Sequence, residues 1–164
     1  MNKLFTLLFA SILLVLVYIN FLVFKSYMFQ FDLIQEFNNG IRTENTLKKF
    51  ENQNFLFPNI TVTALPLYPM LADYYLKLGD YNSSIDILNK KVKDNPFLYL
   101  KETVKAKYFI ETQVRDSALF YSNIAYYALP NNVSNFKDLS VVLTYESNVD
   151  DIVKAFNYNK NNQS

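Results

Sequence analysis

The chain is 164 residues long, with a formal net charge of +1 and charged residues at 19%, enough for one modest folded domain plus an anchoring or targeting segment. The balanced charge leaves no global field to recruit nucleic acid, so no nucleic-acid partner is expected. Cysteine and histidine are both absent, which removes disulfides, thiolate and imidazole metal sites, cysteine nucleophiles and imidazole acid–base chemistry together.

Only two glycines occur, Gly40 and Gly79, whereas a sheet-rich fold of this size spends more of them on tight turns and bulges. The composition therefore points to an all-α chain. Its aromatic share of 17%, carried entirely by Phe and Tyr, supplies bulky side chains for a core built from helix faces.

In chain order, the first element is the apolar run Leu4–Phe24, which carries no charge and is bounded by Lys3 and Lys25. As a helix it spans ~31 Å, close to the ~30 Å hydrocarbon layer of a bilayer. A cleaved signal peptide has a shorter apolar region of ~7–15 residues and ends at a small-residue site; neither feature is present. A buried soluble helix would have to hide every face of this run in a domain too small to do so. Residues 1–26 are therefore expected to be an uncleaved anchor that meets the lipid bilayer through residues 4–24. One lysine flanks each end, so the positive-inside rule gives a weak bias; the short amino-terminal tail with Lys3 favours an extracytoplasmic C-terminal part. Asn20 lies near the outer end of the span, where headgroup water or a neighbouring helix is expected to satisfy its amide.

Residues 27–64 read as a juxtamembrane helix and linker. The pattern at Met28, Phe31, Leu33, Ile34 and Phe37 continues the helix outward. Gly40 then suits a C-terminal cap, and Thr43 with Thr46 and Leu47 opens a second short helix through Phe50. From Asn54 to Pro69, three prolines flanking β-branched residues suggest an extended linker that separates the anchor region from the rest of the chain.

Residues 65–160 carry a repeat. Pro96 and Pro130 lie 34 residues apart, and aligning the chain on them puts other like residues in register. Small residues, Ala72 and Ser84 and then Ala106 and Ala118, allow antiparallel helices to approach within ~8–10 Å, while Tyr75, Leu88, Phe109 and Tyr121 fill the spaces between. The prolines cannot continue a helix, so each marks a handover between hairpins. Six helices are expected, at roughly 66–79, 81–94, 97–112, 115–129, 132–146 and 148–158. A lone hairpin cannot bury its own apolar face, so 27–50 is expected to supply a cap.

These positions resemble the tetratricopeptide repeat. In the first unit, 65–97, Leu71-Ala72, Tyr75, Gly79, Tyr81, Ser84, Leu88 and Pro96 stand at motif positions, and Lys91 departs from it. The second unit, 99–132, keeps Ala106, Phe109, Ala118, Ala125 and Pro130 but has Gln113 for the turn glycine, Ser122 for a bulky residue and Lys105 for an apolar one. A third unit from Val133 is degenerate, with Ile152 at a usual alanine. The resemblance covers about 100 of the 164 residues and implies an α-solenoid of antiparallel helical hairpins.

By that resemblance, the first helix of each repeat lines a concave face presenting Asp73, Leu76, Lys77, Lys107, Ile110, Glu111, Val141 and Tyr145 as candidate partner-binding residues. The basic clamp of some family members is not expected, because Pro69, Asp73 and Val104 occupy several of its positions. The carboxylate pairs Asp150/Asp151 and Asp73/Asp80 have a structural explanation at helix starts and turns; no catalytic residue, metal or other cofactor is expected. Sequons at Asn59, Asn82 and Asn132 are compatible with chance in an asparagine-rich chain. The function implied is a non-catalytic, membrane-anchored scaffold holding a protein partner at the membrane surface. Similar repeats are attached to O-antigen ligase-like membrane proteins, which implies a second reading as an accessory subunit or region of envelope-glycan machinery. An independent hydrolase or transferase is a third, with little support in the residues.

Overall fold

The structure, a computed structural model, describes residues 3–52, 64–90, 95–145 and 149–161. Among the described residues the protein is helical throughout, with no strand. The first helix, α1 (Lys3–Asn38), runs unbroken for 36 residues, about 54 Å at 1.5 Å per residue. Every residue from Leu4 to Phe24 is exposed, so the apolar run is not the core helix of a soluble domain; α1 is one helix long and apolar enough to cross a membrane. The Asn20 amide donates to the Leu16 carbonyl one turn back at 2.8 Å, as the Ser11 hydroxyl does to Leu7 at 2.9 Å, so one of the Asn20 donors is satisfied within the helix.

Beyond Lys25 the same helix enters the folded body, where Phe29, Gln30 and Leu33 are buried. It ends at Gly40 (φ +69°), where the Ile41 and Gly40 amides close back on the Glu36 and Phe37 carbonyls, a left-handed cap that glycine adopts without steric penalty. Thr43 caps the next helix, α2 (Glu44–Glu51), by accepting from the Thr46 amide. α2 runs back along α1: Thr46 meets Glu36, Lys49 meets Asp32, and the Phe50 ring meets the Phe29 ring edge-on at 5.4 Å.

Three helix pairs complete the body. α3 (Leu67–Lys77) and α4 (Tyr81–Asn89) pack on each other, as do α5 (Leu100–Glu111) and α6 (Arg115–Ala128), and α7 (Val133–Tyr145) and α8 (Val149–Asn161). The turns between α3 and α4 and between α5 and α6 are three residues long, so the paired helices run in opposite directions. The first helices also touch in succession, α3 on α5 and α5 on α7. Pro69 is the third residue of α3, in the first turn where amides have no intrahelical acceptor to lose, so the extended reading of 54–69 ends before Leu67; residues 53–63 lie outside the described residues. α4 stops at Asn89 rather than 94 because Lys90 is extended, and 91–94 are likewise not described. The helix expected over 97–112 starts as a 3-10 turn (Pro96–Leu98) and is interrupted at Tyr99 (φ +47°) before α5 begins.

The 34-residue register holds between the first two helix pairs at the level of packing and lapses in the third, where Phe156 stands exposed at the place of Leu88 and Ser122. Ala72 and Ala106 are both buried, as are Ser84 and Ala118, and Leu88 and Ser122. Ser84 donates to the Ala72 carbonyl at 2.8 Å, joining the two small positions of the first pair. Gly79 (φ +86°) and Gln113 (φ +60°) occupy the same left-handed cap, each followed by an amide that reaches back five residues, Asp80 to Tyr75 and Val114 to Phe109. One core cluster joins Phe29, Leu33 and Phe50 to Leu67, Met70, Tyr74, Leu88 and Val104; a second joins Tyr126, Leu139, Leu143 and Ala155. Residues 29–50 are thus built into the first pair rather than separated from it by a linker.

Candidate functional site

Two polar constellations stand out, one at the junction of α1 with the helix pairs and one on the face formed by α3, α5 and α7. The junction is organised by Glu36 and Arg42. The Glu36 carboxylate accepts from the hydroxyls of Thr46 (2.7 Å), Thr43 (2.9 Å) and Tyr74 (2.9 Å) and from the Thr43 amide (3.2 Å). Burial would raise its pKa, but the hydrogen bonds outweigh burial and hold the carboxyl below its usual value. Burial, with the same contact, pushes the Tyr74 hydroxyl well up. Tyr75 next to it donates to Glu51 at the end of α2, and burial plus that carboxylate raise it to about 12.

Arg42 is one of only two arginines in the chain. Its Nε and Nη2 reach Asp73 Oδ2 at 2.7 and 2.5 Å, with side chains 7% and 1% exposed. Its Nη1 donates to the carbonyls of Glu36, Phe37 and Ile41, adding a cation to the carbonyl-rich end of α1 and the turn that follows it. The guanidinium also lies over the Phe37 and Tyr74 rings, 4.4 and 5.1 Å from their centroids. A lysine could not cap three carbonyls, bind a carboxylate and stack at once, because it lacks the planar five-donor fork. Glu36 and Arg42 together bind α1, α2 and α3 into one body.

On the other face the structure distributes the expected partner-binding residues unevenly. Asp73 is consumed by Arg42 and Leu76 is buried in the core, so these two support the face from beneath. Lys77, Glu111 and Tyr145 are exposed, and Lys107, Ile110 and Val141 are half-buried. Ile110, Glu111 and Tyr145 line an open cleft of ≈ 650 Å³ together with Gln113 and Arg115. Arg115, the second arginine, lies over the Tyr145 ring at 6.0 Å. Lys77 and Lys107 belong to a different grouping, within electrostatic reach of Asp138 on α7.

Asp138 was not among the sequence candidates, although the register exposes it: 34 and 68 residues earlier stand Val104 and Met70, both buried. A carboxylate thus occupies a position that is apolar in the other two pairs. Its Oδ2 is covered without a hydrogen-bond partner among the described residues. Burial pushes the carboxyl up, and the charges of Lys107, Lys137 and Lys77 oppose that shift. Nearby, Thr103 Oγ1 lies 3.0 Å from Asn135 Oδ1, and the Asn135 amide donates to the Ala125 carbonyl at 2.9 Å, tying α5, α6 and α7 together in the interior.

Asp80 and Asp150/Asp151 sit as their neighbours suggest. Asp80 accepts from the Ser83 amide at the start of α4, and the other two lie in the first turn of α8. Among the described residues no group of three or more His, Cys, Asp or Glu side chains is placed to hold a metal ion. No family model matches the chain, and neither a curated protein nor a solved structure matches it significantly.

Proposed function

We propose that this chain is a membrane-anchored, tetratricopeptide-like scaffold, without catalysis of its own, that presents the α3/α5/α7 face to a protein partner at an extracytoplasmic membrane surface. One observation carries the reading: α1 passes without a break from the exposed apolar run Leu4–Phe24 to Phe29 and Leu33 inside the first helix pair. A helix whose two halves need different surroundings, lipid for one and a packed protein core for the other, acts as a rigid mount. The repeat likeness is supported by the shared register of small buried residues and left-handed caps, and by first helices that touch in succession. The chemistry of the candidate face suits protein recognition, with an arginine on an aromatic ring, an exposed carboxylate and an apolar side chain around an open cleft.

The test is site-specific photo-crosslinking of the tagged full-length protein in native membranes. Probes at Glu111 and Tyr145 should yield the same crosslinked protein, and a probe at exposed Asp86 on α4 should not. Equal yields from all three positions, or none, would refute the assignment of the face. A crosslinked species that is a multi-pass membrane protein of glycan assembly would select the accessory-subunit version. Protease accessibility of the C-terminus from either side of the membrane checks the orientation.

A further inference from the structure

The anchor's apolar surface does not stop where its uncharged run stops. Past Phe24, on the helix face turned away from the folded body, stand Tyr27, Met28 and Phe31, with 49%, 54% and 61% of their surfaces exposed. On a 3.6-residue helix these three lie with Phe24 in one stripe at spacings of three, four and seven. Phe29, Gln30 and Leu33, the residues covered by the body, lie on the opposite side. α1 is therefore two-faced in this segment, with bare aromatic and thioether groups on one side and packed protein on the other. Scattered exposed apolar residues are unremarkable, but a stripe continuous with a membrane-length apolar surface on the same unbroken helix has a specific neighbour.

We infer that the stripe Phe24–Tyr27–Met28–Phe31 lies on the bilayer, in the headgroup and upper acyl layer, so that α1 leaves the membrane inclined and carries the helix pairs on its upper side. This rests on the membrane-anchor reading of Leu4–Phe24. The lipid-facing side leaves the hydrocarbon some four to seven residues later than the protein-facing side, ~6–10 Å along the axis. Across a helix ~10–12 Å wide that offset corresponds to an inclination of roughly 30–45°, at the upper end of what spanning helices adopt. Tyr, Phe and Met suit this layer because their bodies are apolar, and the tyrosine hydroxyl keeps contact with water. α2 lies on the protein-facing side, as the Phe50–Phe29 and Thr46–Glu36 contacts require, and among the described residues the stripe stays exposed.

The chain contains no tryptophan, so a single introduced one is an unambiguous reporter. Full-length Phe31→Trp and, as a second reporter on the stripe, Tyr27→Trp would be reconstituted in phosphatidylcholine/phosphatidylglycerol vesicles, with Leu14→Trp marking the middle of the span. The expected result is several-fold stronger quenching of both stripe reporters by lipid bearing a nitroxide near the glycerol end of its acyl chain than by aqueous iodide. The mid-span reporter should respond to a nitroxide near the chain terminus. Deep quenching at mid-span with iodide-only quenching of the two stripe reporters would overturn this inference and leave the anchor standing. Iodide quenching of the mid-span reporter would remove the anchor itself and the inference with it. Stripe reporters shielded from both probes would show that protein, a second copy or a partner, covers this face, and would likewise overturn it.

Discussion

Replacing Arg42 by alanine leaves Asp73, 1% exposed, as a buried carboxylate without its cation, and strips the Glu36, Phe37 and Ile41 carbonyls of a shared donor. At an effective dielectric of ~20, opposite charges ~4 Å apart attract by about 4 kcal/mol, and desolvating them cancels much of that gain. The pair's net contribution is therefore modest, whereas breaking it from one side costs about 3–5 kcal/mol because the surviving charge stays buried. For a chain of this size that is a fall in Tm of roughly 6–20 °C. The assay is thermal melting of the full-length protein in detergent, followed by circular dichroism, for Arg42→Ala, Asp73→Ala and the double variant. Each single change should destabilise strongly, and the double should fall far short of their sum, with a coupling of at least ~2 kcal/mol. A single-variant Tm within about 2 °C of wild type, or strict additivity, would refute the claim that this pair locks α1 to the first helix pair.

Other outcomes rest on the same geometry. Gly79→Ala meets no neighbouring atom within 4 Å, so its loss of about 1 kcal/mol comes from the left-handed backbone alone. Gln113→Gly relieves that same strain and should not destabilise; chemical denaturation distinguishes the two. Asp138→Asn should raise stability at neutral pH, where wild type carries a covered charge. Because the folded carboxyl titrates above its ordinary 3.8, the folded state binds the extra proton and wild type recovers stability as pH falls; the advantage of the variant should vanish below about that pH. Glu36→Gln has the opposite sign: the folded carboxyl titrates below 4.5, so wild type holds this contribution above that pH and loses it on acidification, and the variant's melting should vary less on the acid side. Ala118→Leu, at a buried small position in the helix that packs on α5, should overpack the second pair and lower stability by ~1–3 kcal/mol.

The helical content, the long apolar helix and the boundaries of most helices were legible because they rest on local signals: an uncharged run of membrane length, Gly40 and Gly79 at left-handed caps, and Thr43 and Asp80 at helix starts. That 27–50 would cap the first pair was expected, because a lone hairpin cannot bury its own face; the residues that make the joint were not legible, since it depends on Phe29, Phe50 and Tyr74 meeting across intervals that no periodicity connects. Asp73 illustrates the same limit. Repeat position alone puts it on an open face, and only the fold shows that Arg42, 31 residues earlier, has claimed it. A signal was nonetheless present: in a chain that uses lysine for nearly all its positive charge, the two arginines, Arg42 and Arg115, mark the places where a planar fork or a stacked cation is required.

Asp138 poses the sharper question, because it is legible as an irregularity rather than as a motif. Met70, Val104 and Asp138 share one place in the register, and a covered carboxylate oxygen without a donor lowers stability by about 1–3 kcal/mol relative to an apolar side chain. Helix packing alone gives no reason to keep it. Its neighbours, Lys77 and Lys107, project from the two preceding first helices, so the acid sits where α3, α5 and α7 converge on the face assigned to a partner. Among the described residues that oxygen is unmatched and covered, so a basic group from that partner would satisfy it by displacing the side chains that now cover it. If the face works in this way, Asp138→Asn should strengthen the fold and weaken the crosslink from Tyr145 in the same preparation; a gain in stability with undiminished crosslinking would separate the acid from recognition.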